Sequence, residues 1–430
     1  MRFVTTKSLL AAESFGFALF EGIAPDGGLY VPESIPQWRP EELAKLPSMA
    51  LADVGARVLH PFIDELDYDT LLAIVQDALA FPIPLVEVEP GIHALELFHG
   101  PTLAFKDVGA RMMARLMAAL FRGDHPLTIL VATSGDTGSA VGHAFHNVPH
   151  TRVAILYPKG RISPTQEAQL TMFNSEATNV RAYAAAGNFD DCQRLTKTAF
   201  ADPVLSRRAN LTSANSINIG RLLPQMIYYV HAIGQLAAKG TPMAGAPVFS
   251  TPSGNFGNLT AGLMAKRSGV NIGRFIAATN ANDVVPEYLA TGRYEPRPSI
   301  HTVANAMDVG NPNNMERLVD LHPEITELRQ SAQSFSVSDE EIADTIARDY
   351  SVSGRTWCPH TATAIHARRR LSSRHWIIVA TAHPAKFESV VEPLIGRSLN
   401  MPPSLAQLFE APSRFEEIDP EFDALKEALS

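Results

Sequence analysis

The sequence has few cysteines, no long apolar run and no excess of basic charge. Its two cysteines, Cys192 and Cys358, are too few for a disulfide framework and form no CxxC motif, which favours a reducing compartment. No apolar run approaches the roughly 18 residues of a membrane-spanning helix. Glu13 interrupts the apolar N-terminal patch, and no small-residue cleavage site follows it. The chain has 36 basic and 45 acidic residues, a formal charge of -9. We therefore expect a soluble cytoplasmic protein with no nucleic-acid or membrane partner.

Several common catalytic motifs are also missing. The sequence contains no G-x-x-x-x-G-K-[ST] and no G-x-G-x-x-G after a strand, which argues against a P-loop NTPase and a dinucleotide site. It has no G-x-S-x-G elbow and no H-E-x-x-H, so the usual hydrolase and zinc-protease interpretations fail. His143 and His146 are three residues apart but lack a partner carboxylate pattern, and we expect no metal site.

The chain changes its pattern near residue 95. At 430 residues and 46% apolar content it is long enough for two or three domains, at about 150 residues each. Residues 1–95 read as mostly helical, with a helix expected over 69–79 that Asp69 could cap. Beyond residue 95, short apolar strands alternate with helical stretches, which is typical of an α/β protein with parallel sheets. The expected strands are 128–133, 153–157, 247–250, 275–278 and 376–380.

Two loops that follow expected strands are rich in glycine and small polar residues. The first covers residues 133–139 (TSGDTGS) and the second covers 251–258 (TPSGNFGN). Glycine permits close backbone approach, and the free amides of a following helix attract anions. Such loops also end strands in many α/β proteins that bind nothing there. Because ligands lie at the carboxyl ends of parallel strands, two such loops together favour a site for a small anion.

Lys106 lies at the start of a strong helical stretch, after Leu103, Ala104 and Phe105. The helix dipole and the apolar neighbours both disfavour its charged form, and a lysine with a lowered pKa suits Schiff-base chemistry. On position alone, a surface lysine that points into water is the simpler interpretation. Together with a phosphate-type loop, the lysine suggests pyridoxal 5'-phosphate (PLP), which needs an amine for its aldehyde and an anion site for its phosphate.

At these residues the sequence resembles the threonine synthases of many bacteria and of fungi. The matching segments run almost the whole chain: DGGLYVP (26–32), ELFHGPTLAFKDVGARMM (96–113), ATSGDTGSA (132–140), YPKGRISPTQEAQL (157–170), SANSINIGRLLPQ (213–225), PSGNFGNLTAGLMAK (252–266), FIAATNANDVVPEYL (275–289), NAMDVGNPNN (305–314) and TAHPAKF (381–387). The resemblance implies a PLP-dependent lyase of fold type II, the tryptophan-synthase-β-like fold. It implies conversion of O-phospho-L-homoserine and water to L-threonine and phosphate by γ-elimination and β-hydration, the last step of threonine biosynthesis.

The resemblance also implies an architecture of two parallel-sheet domains with an N-terminal helical extension. We expect a mostly helical N-terminal domain over 1–95 and a smaller α/β domain with the Schiff-base lysine segment over 96–225. The larger PLP-binding α/β domain is expected over 226–430. Domain closure is expected to shield reactive intermediates from water, with the long 286–314 segment as one mobile part. The sequence leaves the oligomeric state, monomer or homodimer, open.

The resemblance assigns roles residue by residue. Lys106 matches the Schiff-base lysine and the base for several proton transfers. The cofactor-phosphate loop corresponds to Ser253, Gly254, Asn255, Phe256, Gly257 and Asn258. Thr381 matches the hydroxyl that faces the pyridine nitrogen, and Asp136 lies where related enzymes place a polar group near the ring's 3'-oxygen. The second anion site, for the substrate phosphate, is implied at Asn215, Ser216 and Arg221, with Ser134, Thr137 and Lys159 as helpers.

Two departures from the family pattern stand out. Residues 358–360 read Cys-Pro-His where the family usually has Glu-Pro-His, and Thr5-Thr6-Lys7-Ser8 lacks an Arg-Gly pair often found there. A dehydratase or β-replacement enzyme of the same fold remains an alternative, although neither needs the second phosphate site. A non-catalytic paralogue that only binds a phosphorylated metabolite is another alternative, and bound PLP would distinguish it.

Overall fold

The computed structural model describes residues 1–8, 10–175, 177–240, 245–371, 375–410 and 414–429. The described residues form thirteen β-strands: β1 (Phe3–Thr5), β2 (Tyr30–Pro32), β3 (Leu85–Glu89), β4 (Ile92–Glu96), β5 (Leu127–Ala132), β6 (Thr151–Pro158), β7 (Val180–Ala185), β8 (Leu211–Ser213), β9 (Val248–Pro252), β10 (Arg274–Thr279), β11 (Ala332–Ser336), β12 (Trp376–Ala380) and β13 (Glu416–Ile418).

The same residues form twenty α-helices: α1 (Phe15–Glu21), α2 (Pro40–Leu43), α3 (Leu51–Leu59), α4 (Tyr68–Ala78), α5 (Lys106–Leu120), α6 (Asp136–Phe145), α7 (Pro164–Thr171), α8 (Phe189–Ala201), α9 (Pro203–Ala209), α10 (Ile219–Leu222), α11 (Met226–Ala238), α12 (Gly257–Arg267), α13 (Val284–Thr291), α14 (Met315–Leu321), α15 (Ile325–Ser331), α16 (Asp339–Ser353), α17 (Pro359–Arg369), α18 (Glu388–Ile395), α19 (Pro403–Ala406) and α20 (Phe422–Ala428). Short 3-10 helices cover Leu46–Ser48, Leu223–Gln225, Asn305–Met307, Pro384–Phe387 and Gln407–Glu410.

The strands build two largely parallel sheets and one small ribbon. The larger sheet has the order β11-β10-β9-β12-β4-β3, and all its pairs are parallel except β3 with β4. The smaller sheet has the order β13-β7-β6-β5-β8, and its pairs are all parallel among the described residues. Strands β1 and β2 pair antiparallel in the N-terminal extension. The predicted α/β class, with two parallel sheets and an N-terminal extension, is confirmed.

The strand sequences explain their burial. Every residue of β5 and β12 is buried, and both are short runs of apolar and β-branched residues, as strands covered by helices on both faces require. The three-domain division at residues 95 and 225 stays a prediction. The larger sheet takes β3 and β4 from before residue 97, and the smaller sheet takes β13 from near the C-terminus.

The predicted helix over 69–79 exists but begins and ends one residue earlier. It covers Tyr68–Ala78, and its cap is Asp67, whose carboxylate accepts the Thr70 backbone N–H at 2.9 Å. The prediction that Asp69 caps this helix was therefore wrong. Both aspartates precede the apolar stripe, and the extended backbone of Asp67 (φ -67, ψ 160) fits an N-cap.

Candidate active site

The loops that follow four strands and the start of helix α5 converge on one cleft between the two sheets. Strand β5 leads into residues 133–137, β8 into 214–216, β9 into 253–258 and β12 into Thr381. Lys106 begins α5, after the loop that leaves β4. All of these loops leave carboxyl ends of strands, where parallel sheets place their ligands.

Most of the predicted site residues line this cleft together. They are Lys106, Ser134, Asp136, Thr137, Asn215, Ser216, Arg221, Gly254, Asn255, Phe256, Gly257, Asn258 and Thr381. Ser253 lies just behind the wall, and its hydroxyl donates to the side-chain oxygen of Asn258 at 3.1 Å. Lys159 is not brought to the cleft. Its ammonium pairs with Glu417 at 2.5 Å on the exposed side of the smaller sheet, so its predicted helper role has no geometric support.

Lys106 is enclosed by the cleft and has one close polar partner. Its Nζ donates to the Thr137 hydroxyl at 2.8 Å and lies 5.5 Å from the Phe105 ring centroid. Burial lowers its pKa to about 8, while Asp136 opposes the shift and the nearby cations Arg221 and Lys386 reinforce it. A minor fraction of Lys106 is therefore neutral at pH 7, far more than for a lysine with the ordinary pKa of 10.5, and a nucleophilic amine reacts in this neutral form.

Asp136 is held by a buried cation that the sequence did not reveal. The carboxylate oxygen Oδ1 is 2.9 Å from the Nζ of Lys386 and accepts the Gln166 side-chain amide at 3.2 Å. Burial raises the pKa of Asp136, but Lys386, His360 and Lys106 together outweigh burial and hold the pKa at about 2. Asp136 is thus an anion at neutral pH. Lys386 has no exposed side-chain surface and also donates to the Thr102 carbonyl at 2.7 Å, just before Lys106.

The loop 253–258 has the shape of an anion cradle. Phe256 adopts a left-handed backbone (φ 60) that turns the chain into α12 at Gly257. The Asn258 side chain donates to the Pro252 carbonyl at 2.7 Å and so fixes the loop. A Cβ on Gly254 would lie 2.8 Å from the Cα of Met307, so only glycine lets the 305–307 segment pack against the loop. The free amides at the start of α12 can bind a phosphate.

Thr381 and Cys358 lie together at the end of β12. The Cys358 thiol is 3.9 Å from the Thr381 hydroxyl and 3.1 Å from the Thr361 hydroxyl. Thr361 also accepts the Thr381 backbone N–H at 3.1 Å. Burial raises the pKa of the Cys358 thiol, so this cluster is neutral. Thr381 lines the cleft, and the cysteine that departs from the family pattern therefore places an uncharged thiol behind it.

Two buried arginines carry positive charge beside the opposite wall. Arg221 donates to the Ala214 carbonyl at 2.6 Å, and its Nε has no hydrogen-bond partner among the described residues. Burial lowers its pKa to about 10, so it stays charged. Nearby, Asn215 donates to the Ala132 carbonyl at 2.9 Å, which orients its side chain next to β5. A charged guanidinium with a free N–H is ready to bind an anion.

Arg317 fixes the backbone behind this wall. Its guanidinium donates to the carbonyls of Tyr30 (2.9 Å), Ser216 (3.3 Å) and Ile217 (2.6 Å) and to the side-chain oxygen of Asn314 (2.8 Å). Burial lowers its pKa to about 9, and these acceptors are carbonyl oxygens rather than carboxylates. Arg317 therefore joins the N-terminal extension, the 216–217 segment and the start of α14 through one buried cation.

The residues that sequence reasoning missed are Lys386, Gln166, His360 and Arg317. Lys386, Gln166 and His360 stand in segments already noted, TAHPAKF, PTQEAQL and Cys-Pro-His, and Arg317 follows NAMDVGNPNN closely. Nothing in the local pattern distinguishes them from surface residues, because their burial depends on contacts with distant segments. Within the described part of the chain, no group of three or more His, Cys, Asp or Glu side chains is arranged so that it could hold a metal ion.

Comparisons with known proteins agree with this geometry. A family model described as "Threonine synthase N terminus" matches residues 2–79. "Pyridoxal-phosphate dependent enzyme" matches 81–381, and "Threonine synthase, C-terminal" matches 361–429. A curated threonine synthase from Haemophilus influenzae is 45% identical over 97% of this chain and 96% of its own length.

Solved structures resemble the whole chain as well. The crystal structure of threonine synthase from Escherichia coli has 40% identity and a TM-score of 0.92, covering 100% of this chain and 99% of that one. A PLP-bound threonine synthase from Brucella melitensis has 34% identity and a TM-score of 0.92, covering 100% and 98%. Within the described residues, no helix has both the length and the apolar character to cross a membrane.

Proposed function

The chain belongs to the threonine synthase family, and from this premise we propose that it converts O-phospho-L-homoserine and water to L-threonine and inorganic phosphate. It is a PLP-dependent lyase of amino-acid biosynthesis. The observation that carries the choice of substrate is the pairing of two separate anion sites with one enclosed lysine. The loop 253–258 suits the phosphate of the cofactor, and Arg221, with its unpartnered Nε, suits a second phosphate on the substrate.

The residues of the cleft fit PLP. Only glycine fits at position 254, because a side chain there would overlap the backbone of Met307. The loop that contains Gly254 presents the backbone amides at the start of α12. Lys106 would hold the aldehyde, Thr381 would face the pyridine nitrogen, and Asp136 would lie near the ring oxygen. When bound, PLP withdraws electrons from the amino-acid substrate, so that bonds at its α- and β-carbons can be broken.

The protein's own residues supply binding, orientation and proton transfer. Lys106, with a pKa of about 8, can accept a proton in its neutral form and return it as an ammonium, and Thr137 orients its Nζ. Arg221, Asn215 and Ser216 are proposed to bind the substrate phosphate, with Ser134 and Thr137 as helpers. Arg221 would stabilise the negative charge that develops as phosphate leaves. Thr381 and Cys358 would keep their protons and so would not protonate the pyridine nitrogen, because a hydroxyl is a very weak acid and burial raises the pKa of the thiol.

The test is a product balance. Purified protein with added PLP should release phosphate and form threonine in a one-to-one ratio from O-phospho-L-homoserine. Lys106→Ala should abolish turnover while leaving the fold intact. If PLP binds and no phosphate appears, the substrate assignment is wrong and the site at Arg221 serves another ligand. Wild-type rates in the Lys106→Ala variant would refute the role of Lys106.

The enzyme is proposed to act in the cytoplasm, because both of its cysteines are buried and unpaired, as in a reducing compartment. It is proposed to act on its small-molecule substrate as a monomer or a homodimer, and sedimentation analysis at several concentrations distinguishes the two.

A further inference from the structure

The side chain of His360 is a buried polar group of the cleft that the proposed mechanism leaves unused. It lies in the first turn of α17 and is 4% exposed. It lines the same cleft as Lys106, Asp136 and Thr381. Its ring packs edge-on against Phe387, with 4.7 Å between the ring centroids, so its orientation is fixed.

The two ring nitrogens of His360 have different environments. Nε2 accepts the backbone N–H of Ala306 at 3.1 Å, so in a neutral ring the proton is on Nδ1. Burial lowers the pKa of His360 to about 4, although Asp136 opposes this shift, and the ring is therefore neutral at pH 7. Nδ1 is buried and has no hydrogen-bond partner among the described residues.

A buried donor without an acceptor is rare in native structures and often indicates a ligand. Two other polar groups of the site are already satisfied: Lys386 pairs with Asp136, and Lys106 bonds to Thr137. His360 interacts electrostatically with Asp136, Lys106 and Lys386. These are the residues around the aldehyde end of the proposed cofactor site.

We propose that His360 is a ligand-binding residue whose neutral Nδ1–H donates a hydrogen bond to an anionic oxygen bound in the cleft. This rests on the proposed function, because the oxygen belongs either to the cofactor ring or to the carboxylate of the amino-acid substrate. A neutral donor suits this position, since it binds the oxygen without adding a charge beside the Asp136–Lys386 pair. The Ala306 amide favours the tautomer with its proton on Nδ1, because Nε2 accepts the hydrogen bond from this amide.

Two substitutions separate the donor from the acceptor. In His360→Asn the amide nitrogen can reach the position of Nδ1, while the acceptor for Ala306 is lost. In His360→Gln the amide oxygen can reach the position of Nε2 and keep the Ala306 bond, while the donor is lost. His366→Asn is the matched control, because His366 lies on the same helix, faces Glu341 and is outside the cleft.

The measurements are the PLP dissociation constant of the cofactor-free protein, from absorbance titration, and kcat and KM for O-phospho-L-homoserine. We expect His360→Gln to weaken ligand binding at least tenfold, with His360→Asn within threefold of wild type and His366→Asn unchanged. A raised PLP dissociation constant identifies the cofactor oxygen, and a raised KM with unchanged PLP binding identifies the substrate carboxylate. Because PLP titration needs no turnover, it separates this proposal from a failure of the proposed reaction.

The proposal is overturned if His360→Gln binds both ligands within twofold of wild type. It is equally overturned if the Asn and Gln variants are impaired alike, since packing or the Ala306 bond then accounts for the effect. Should His360→Gln fail to fold, His360→Ala with added 4-methylimidazole replaces it. Restored PLP affinity on adding 4-methylimidazole supports the proposal, and no restoration in a folded His360→Ala protein contradicts it.

Discussion

Replacing Lys386 with methionine should destabilise the protein strongly, because it leaves the Asp136 carboxylate buried without its cation. The two groups are 2.9 Å apart, with side-chain exposures of 0% and 5%, so solvent screens their attraction little. Lys386 is the largest of the charges that hold the Asp136 pKa at about 2, against an ordinary value of 3.8. A shift of that size corresponds to about 2 kcal/mol of folding free energy at neutral pH. Removal of one partner of a buried pair typically costs roughly 3–5 kcal/mol, and loss of the Thr102 hydrogen bond is part of that cost.

The pH dependence of this effect has a defined sign. Because the folded pKa of Asp136 is depressed, its contribution to stability is fully present above pH 3.8 and is lost as the pH falls through about 2. Burial raises the pKa of Asp136, and Lys386 is the main group that lowers it. In Lys386→Met, Asp136 should therefore take up a proton at a higher pH than in wild type. The difference in unfolding free energy between wild type and Lys386→Met should therefore be largest near neutral pH and should become smaller as the pH falls toward roughly 4.

Urea unfolding followed by circular dichroism measures the effect in Lys386→Met, Asp136→Asn and the double variant. The double-mutant cycle isolates the coupling of the pair. Lys159→Met is the matched control, because the Lys159–Glu417 pair is exposed and should be worth about 1 kcal/mol or less. A coupling below about 1 kcal/mol, or a Lys386→Met variant no less stable than Lys159→Met, would show that the buried Lys386–Asp136 pair does not stabilise the fold more than an exposed pair does.

Three further predictions concern the cleft. In cofactor-free protein, labelling of Lys106 by an amine-reactive reagent should follow a titration with a midpoint near 8, and a midpoint near the ordinary 10.5 would contradict its enclosure. Arg317→Met should raise the KM for the substrate about tenfold (~1.4 kcal/mol) and lower kcat less, because it removes the guanidinium that donates to the Ser216 and Ile217 carbonyls; an unchanged KM would count against this. Gly254→Ala should weaken PLP binding by about 1–3 kcal/mol, since its Cβ would overlap Met307, and PLP titration with unaltered affinity would refute that.

Much of the fold could be predicted because its central strands are short, continuous apolar runs. Strand β12 was predicted with its observed bounds, and the predicted bounds of β5 and β10 each differ from the observed ones by one residue at both ends. Strands β8 and β13 could not be predicted, because each has only three residues and depends on hydrogen bonds to a neighbouring strand that is distant in sequence. Strand β7 is rich in alanine, which has little strand preference of its own, and packing in the smaller sheet overrides it.

The site residues likewise fall into those that local sequence predicts and those whose position depends on distant contacts. Lys106 and the loop 253–258 carry their chemistry in contiguous residues, at the ends of strands that were themselves predictable. The position of Lys386 depends on contacts with Thr102 and Asp136, which are far away in the chain, and a lysine in sequence reads as a surface residue. Lys159 shows the converse, since it follows β6 near the site in sequence but faces Glu417 in space.

The parallel pairing of β13 with β7 has a consequence for how the chain is made. Glu416 pairs with Tyr183, so this edge of the smaller sheet is completed only by a segment that is synthesised long after β7. Until then, the outer edge of β7 exposes unpaired backbone groups that can join another chain. Long-range pairings of this kind are entropically costly to close and form slowly. A chain whose synthesis stops just before residue 416 would therefore expose this edge of β7. We expect such fragments to aggregate.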